Sequence, residues 1–442
     1  MAVSFVVSNL ILGLSLVTGV VLARGLGPHD RGELAAILIW PTLLTSLGGF
    51  GIADALTYHA ARRTNPLETI IGTSLLIGLG QSIVLGAVAV VVVPAVLSAR
   101  GIDVSAAIYL AFLYIPCFFL ADYLIWGLAG AQRMSWFQAL RLSSFLGTAT
   151  LLVALWLAGD LSVGAALLVY PAAYALCALA AGVVTIRGGV WRLRYSHKLA
   201  RRLFGFGSRS HLSTASTVLN QRVDQLVIAL VLSPALLGTY VVAVAISSLP
   251  AAAGGAVAYV VFPRVAALPA GKVRTDAARE ALQVTLFASA AFALVLLGTV
   301  RWLVGFLVGS GYEGAVNVAR VLVVASVFLS MNSTLVALLK AVGQPLQAGF
   351  GGGLALLVTI AGLTLLVPTY GIMGAAVVSL AAYAVSASFL LYKVARELEV
   401  SIGGLLVPPT FVRSTPIVLG LGGEPKVEAT ARRNGTRWWR RP

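Results

Sequence analysis

The sequence predicts an all-α integral membrane protein: twelve transmembrane helices in two parallel six-helix repeats. Three observations predict this. Of 442 residues, 59% are hydrophobic and 10% charged, against about 25% charged in an ordinary soluble domain, so a soluble chain of this length could not clothe itself in polar side chains. The apolar residues form continuous runs of about twenty, the length that carries a helix across roughly 30 Å of hydrocarbon; barrel strands would be about half as long and would alternate. The chain also repeats its own punctuation. "GPHDRGELAAILIWPTLLTSLGGFG" (27–51) is echoed 206 residues later by "SPALLGTYVVAVAISSLPAAAGGAV" (233–257), so that Pro28 falls on Pro234, Gly32 on Gly238, and Gly48 and Gly49 on Gly254 and Gly255.

Taken in order, the spans are 3–23, 34–60, 69–97, 105–129, 140–158 and 164–186, then 206–232, 237–262, 281–308, 316–340, 346–367 and 372–394. Met1 leads directly into the first run without a basic leader, so no cleavable signal is expected and a start upstream of Met1 is expected. Two further echoes tie the halves together. "GAALLVY" (164–170) returns as "GAAVVSL" (374–380), and "AQR" (131–133) sits over "GQP" (343–345). The small drift in the shift is what short loop insertions produce. An even number of spans per repeat makes both halves enter the membrane in the same direction, with the pseudo-axis along the membrane normal. Pro41, Pro94, Pro116, Pro171 and Pro250 lie inside spans, where they suit bent helices lining a cavity.

Loop charge sets the expected orientation. With the N-terminus in the cytoplasm, 24 of the 31 basic residues fall in inside segments and five (Arg24, Arg31, Arg100, Arg301, Arg320) in outside ones. Both termini are therefore expected in the cytoplasm of a protein of the inner, or cytoplasmic, membrane. Residues 1–186 are read as an N-lobe, 187–203 ("RGGVWRLRYSHKLARRL") as a cytoplasmic basic linker, 204–395 as a C-lobe and 396–442 as a cytoplasmic basic tail expected to be disordered. The net charge of +16 fits anionic lipid at the linker and tail, where each basic residue contributes about 1 kcal/mol, better than nucleic acid, which is not expected as a partner. Cys117 and Cys177 each lie in an apolar run and read as small buried hydrophobes.

Ionisable residues inside a span cost about 2.5–3.5 kcal/mol or more at its centre and usually face a cavity or a partner. The seventh span, "FGFGSRSHLSTASTVLNQRVDQLVIAL", is the most polar. At 100° per residue, Arg209, Ser213, Ser216, Asn220 and Asp224 fall within about 80° of one another, a stripe about 22 Å long. On that wheel Arg222 lies on the opposite side. The stripe is expected to face a central cavity; packing against neighbouring helices of the same lobe is the alternative. Asp54 in span 2, Asp122 in span 4 and Arg24 after span 1 complete the candidate lining, with Arg209 and Arg24 as anion-binding candidates because the guanidinium fork bonds two phosphate oxygens at once. Asp54, Tyr58 and Arg62 recur every four residues and share a face.

No enzyme is expected. HExxH, GxSxG and P-loop patterns are absent, "GFGGG" (349–353) has no strand before it, and His29, His59, His197 and His211 are scattered without ligand spacing. No cofactor or metal is expected; a coupling ion, H⁺ or Na⁺, is left open at Asp54, Asp122 or Asp224.

Several stretches resemble the polysaccharide and O-antigen flippases of the multidrug/oligosaccharidyl-lipid/polysaccharide exporter superfamily. "LARGLGPHDRGELAAILIWPTLL" resembles their span 1–2 signature and "LNQRVDQLVIALVLSPALLGTYVVA" (219–243) their span 7–8 signature. "VFPRVAAL", "FLVGSGYEGAVNVARVL" and "PTYGIMGAAVVSLAAYAV" are similar to later landmarks. The resemblance covers about residues 5–400. It implies the exporter-superfamily fold and a cavity opening to alternate sides. The implied cargo is a polyprenyl-pyrophosphate-linked oligosaccharide moved from the inner to the outer leaflet for cell-surface polysaccharide assembly, with glycan polymerase machinery as a candidate partner. The family's polar span-7 pattern lands on Asn220, Arg222 and Asp224. The tail "RRNGTRWWRRP" departs from the pattern, and "IGGLLVPPTFVRSTPIVLGLG" (402–422) is too broken to add the extra spans of lipid II flippases. Two rival functions stay open: a drug or cation antiporter of the same fold, which requires an acidic cavity, and a non-transporting scaffold of a polysaccharide assembly complex. A membrane-embedded sugar polymerase or ligase would need reactive groups on a sizeable outer loop, and the expected outer loops are too short.

Overall fold

The computed structural model describes residues 2–63, 65–97, 104–269 and 271–406. Among these residues every regular element is helical. In order they are α1 (Ala2–Gly48), α2 (Ile52–Ala61), α3 (Leu67–Leu97), α4 (Val104–Gly130), α5 (Met134–Ala158), α6 (Val163–Arg187), α7 (His197–Asn220), α8 (Val223–Val231), α9 (Pro234–Ser247), α10 (Ala251–Ala267), α11 (Lys272–Leu307), a 3₁₀ turn (Ser310–Tyr312), α12 (Ala315–Ala341), α13 (Pro345–Glu397) and α14 (Ile402–Leu406). Eight of these helices are long and apolar enough to cross a membrane. Twelve crossings result because two of the eight are folded hairpins and two further crossings are each built from a pair of shorter helices. α1 turns back at Gly27 (φ 75°, ψ 176°) and α13 at Gly371 (φ 57°, ψ −140°), conformations essentially confined to glycine. Pro28 follows the first of these turns, where a missing N–H costs nothing. The second crossing is α1 beyond Gly27 plus α2, interrupted at 49–51; the seventh is α7 plus α8; the eighth is α9 plus α10.

The polar stretch 24–33, read from sequence as a connection, is thus a one-residue turn. Arg31 belongs to the first turns of a crossing rather than to a loop. The basic linker is helical only from His197. Before it, the chain is irregular and pinned to the start of α3: Arg194 N donates to Glu68 O (3.3 Å) and Ser196 N to Thr73 Oγ1 (3.1 Å). Tail residues 407–442 lie outside the described residues.

The two halves carry matching details. At the ends of α4 and α12 the chain closes with the same helix-stop geometry: Arg133 N donates to Leu128 O and Gln344 N to Leu339 O, with Gln132 (φ 62°) and Gly343 (φ 86°) left-handed between them. The paired glycines of the two repeats both sit at tight crossings, Gly48 against Leu85 of α3 and Gly254 against the Ser330 backbone of α12. The largest buried cluster runs through both halves, from Leu22 and Leu34 to Tyr240 and Val304. Three smaller ones stay within single halves, around Ile71, Leu124 and Phe137, around Val261, Leu282 and Leu390, and around Ala293, Leu296 and Val323.

Candidate functional site

The halves meet at both ends. At the end bearing Gly27, the α1 hairpin packs on the start of α9 through residues that the repeat equates: a Cβ on Gly32 would overlap the Pro234 carbonyl, and one on Gly238 the Pro28 carbonyl. Arg24 adds a bridge, donating from Nε to Leu307 O (2.7 Å) and from Nη2 to Phe306 O at the end of α11. Tyr312 OH donates to Ala23 O (3.1 Å). At the opposite end, bearing Arg62, a Cβ on Gly207 would lie 2.6 Å from Phe50 O, so that α7 and the 49–51 break touch backbone to backbone. There Tyr58 stacks on Phe206 with ring centroids 4.5 Å apart, and the Arg62 guanidinium lies 4.8 Å from the Tyr58 centroid.

Between these closures is a cavity of about 360 Å³. α1 and α4 to α6 line it from one half, α8, the residue before it and α9 from the other. Its polar groups are Arg31 and Arg222, with Gln225, Tyr114, Tyr170 and Tyr174; the Tyr114 and Tyr174 rings meet nearly edge to face at 5.3 Å. Ser144 and Thr148 of α5 and Ser15, Thr18 and Thr42 of α1 add hydroxyls. Arg31 is half-buried, and its Nε is buried without a hydrogen-bond partner among the described residues. Arg222 is exposed into the same space. The described lining holds two guanidinium groups and no carboxylate. Such a site suits an anion: an orphan buried donor costs roughly 1–3 kcal/mol, and a phosphate oxygen would satisfy it with a charge-assisted bond.

A second, apolar cavity of about 370 Å³ adjoins it on the other side of α1, lined by α1, α9 and the end of α11. Arg31 and Val241 line both.

The sequence candidates are distributed as follows. The side chains of Arg209, Ser213 and Ser216 lie outside the described residues; their backbone is part of α7. Asn220 is buried, its Oδ1 accepting from Thr359 Oγ1 of α13 (2.7 Å). Asp224 is 6% exposed; Oδ1 accepts from Gln225 N (2.7 Å) and Oδ2 from Tyr240 OH of α9 (2.7 Å). Both are therefore satisfied within the C-terminal half. The helical wheel fails here because the crossing breaks at 221–222, where Arg222 (φ −130°, ψ −19°) is non-helical. The break turns Asp224 onto α9 and Arg222, placed opposite by the wheel, into the cavity. Asp122 is half-buried and accepts from Trp126 Nε1 (3.0 Å). Asp54 is exposed on α2, and Arg24 serves the inter-half contact described above. Neither they nor Asp122 line either cavity.

Sequence reasoning missed Arg31 and the three tyrosines. A helix starting at Pro28 would have put Arg31 inside span 2. Tyr114 and Tyr170 stand beside the in-span prolines Pro116 and Pro171, which was a signal for bent, cavity-lining helices. His29, Asp30 and Glu33 also converge, with ligand atoms within 4.8 Å of one another, at the surface of the Gly27 end; histidine spacing alone does not reveal this group, because two of its three members are carboxylates.

A family model described as polysaccharide biosynthesis protein matches residues 21–339. No curated protein matches the sequence. Among solved structures the chain is similar to the lipid II flippase MurJ in an inward closed conformation, with a TM-score of 0.74 at 15% identity, covering 90% of this chain and 88% of that one. It is also similar to an inward-facing multidrug resistance MATE family transporter (TM-score 0.66, 13% identity, 88% and 95% covered). A transporter of the MOP superfamily from Pyrococcus furiosus matches with a TM-score of 0.54 at 13% identity, over 90% and 96% of the two chains. At such identities the likeness establishes the fold: twelve membrane crossings in two parallel repeats. With that fold, and with the family match extending over most of its length, the chain belongs to the polysaccharide biosynthesis protein family.

Proposed function

We propose that the protein is a flippase that moves a polyprenyl-pyrophosphate-linked oligosaccharide from the inner to the outer leaflet by alternating access. The observation that carries this reading is the cationic cavity at the junction of the halves, where Arg31 presents a buried, unpartnered donor and Arg222 a second guanidinium. The cargo's pyrophosphate is the anion that such a pair recognises, and the surrounding tyrosine and hydroxyl side chains suit sugars. Family membership supports a glycan cargo, and the fold is one shared with exporters. A cation antiporter is disfavoured, because the described lining has no carboxylate.

The Arg62 end faces the cytoplasm in this reading, by the loop charges, with the linker and tail against anionic lipid. Residues 1–186 and 204–395 act as the two lobes. Arg209, Ser213 and Ser216 lead the head group along α7 from that side towards Arg222. An inside-negative potential favours outward movement by about 2.3 kcal/mol per negative charge per 100 mV, which drives a doubly charged head without a coupled ion.

The test is transport of a fluorescent pyrophosphate-linked glycan in proteoliposomes, together with surface polysaccharide in cells. Arg31→Ala, Arg222→Ala and Arg209→Ala should each reduce both at least tenfold while leaving protein level and melting temperature intact. Unchanged transport in Arg31→Ala and Arg222→Ala would remove the cavity from the path.

A further inference from the structure

We propose that the apolar cavity beside α1 is the berth for the cargo's tail, holding the isoprene units next to the phosphate. This rests on the flippase reading of the neighbouring cationic cavity. The two cavities differ in chemistry and are neighbours that share two lining residues, Arg31 and Val241. One is lined by guanidinium, phenol and hydroxyl groups; the other has an almost wholly hydrocarbon wall, including Val17, Val20, Ala245, Ile246, Leu303 and Leu307. Arg31 stands at the seam and lines both. A ligand that places an anion on Arg31 and continues as hydrocarbon fills both cavities at once. Neither a free phosphate nor an uncharged lipid does so.

The size of the apolar cavity, about 370 Å³, lies in the range of small-ligand pockets, roughly 300–1,000 Å³, and suits the start of one chain rather than the two chains of a phospholipid. Its position fixes how the tail travels. α1, α9 and the end of α11 form its walls, so the tail leaves sideways between α1 and α11, near the end bearing Gly27. That is also where Arg24 ties α1 to the Phe306 and Leu307 carbonyls. The bridge closes the exit at the level of the berth.

Gly19 allows a direct test. It lines the berth, it is helical, and a Cβ added there would meet no atom within 4 Å. A larger side chain therefore fills the berth without pressing on the fold. The full chain in phosphatidylcholine nanodiscs is titrated with inorganic pyrophosphate, with farnesyl pyrophosphate and with dioleoyl phosphatidic acid. Farnesyl pyrophosphate should bind at least about tenfold tighter than pyrophosphate, the effect of burying roughly two methylenes. Gly19→Phe should abolish that advantage and leave pyrophosphate affinity unchanged. Ala245→Phe, which fills the berth from the α9 side, should do the same and keeps the test alive if Gly19→Phe is poorly folded. Arg31→Gln should weaken both ligands, and phosphatidic acid should not compete. Equal affinities for the two pyrophosphates, full retention of the farnesyl advantage in both filled variants, or effective competition by phosphatidic acid overturns the tail berth while the flippase reading stands. Failure of every pyrophosphate to bind the unaltered protein overturns both.

Discussion

The Pro234 carbonyl occupies the space that a Cβ on Gly32 would need, and the Pro28 carbonyl stands in the same relation to Gly238. Two pairs of residues written 206 positions apart thus meet each other across the pseudo-axis. The duplicated proline starts a helix; the duplicated glycine receives the other helix's start. Either glycine changed to alanine should force the helices apart. Overpacking of this kind costs about 1–3 kcal/mol, and the contact exists only while the Gly27 end is closed. Gly32→Ala and Gly238→Ala should therefore lengthen spin-label distances across that end, and the double variant should add little, because one steric wedge already opens the seam.

Arg24 holds the same end by another means. Its guanidinium donates to two carbonyls left free by the end of α11, and hydrogen bonds to a charged donor are worth about 1.5–3 kcal/mol. Arg24→Ala should shift the population towards an open Gly27 end, read as faster alkylation of a cysteine placed at Val308. Arg24→Lys should recover part of the closure, since one ammonium can reach one carbonyl.

Asp224 should behave as a structural residue. Its carboxylate is shared between the start of α8 and the Tyr240 hydroxyl. Asp224→Ala takes the carboxylate acceptor from the buried Tyr240 hydroxyl, and Tyr240→Phe takes the donor from a buried carboxylate oxygen; each should lower stability by about 1–3 kcal/mol. The double variant should be less damaged than the sum of the two. The measurement is thermal unfolding in detergent, with transport normalised to folded protein. Transport lost at full stability would instead put the carboxylate on the cargo path.

At the other end, Tyr58 and Phe206 stack across the seam, an aromatic pair worth about 0.5–1.5 kcal/mol beyond the area it buries. Phe206→Ala should favour opening there, seen as increased hydrogen exchange across 49–51 and the start of α7. Phe206→Tyr should be neutral.

Much of this arrangement could be read in the sequence, and the places where reading stopped share a cause. The apolar runs and the repeated Pro and Gly positions identified twelve crossings and two like-oriented halves, because hydrocarbon thickness and helix rise leave little choice. Asp54, Tyr58 and Arg62 were placed on one face, and the Arg62–Tyr58 contact agrees. Reading failed where backbone geometry departs from a continuous helix. Gly27 turns the chain in one residue, so Arg31 was counted as loop charge. The break at 221–222 exchanged the directions of Arg222 and Asp224. A wheel assumes one uninterrupted screw, whereas the break depends on what Asn220 and Asp224 find on α13 and α9, contacts that no local pattern encodes.

The one-residue turns at Gly27 and Gly371 have a practical consequence. The described connections on that face run from one to seven residues, so its described part is nearly bald. Proteases, antibodies and fused tags would find little chain to grip there, and an insertion at either glycine would splay a hairpin apart. Anything that docks on that side has to recognise helix tips and the lipid around them, whereas reporters and affinity handles belong on the opposite face.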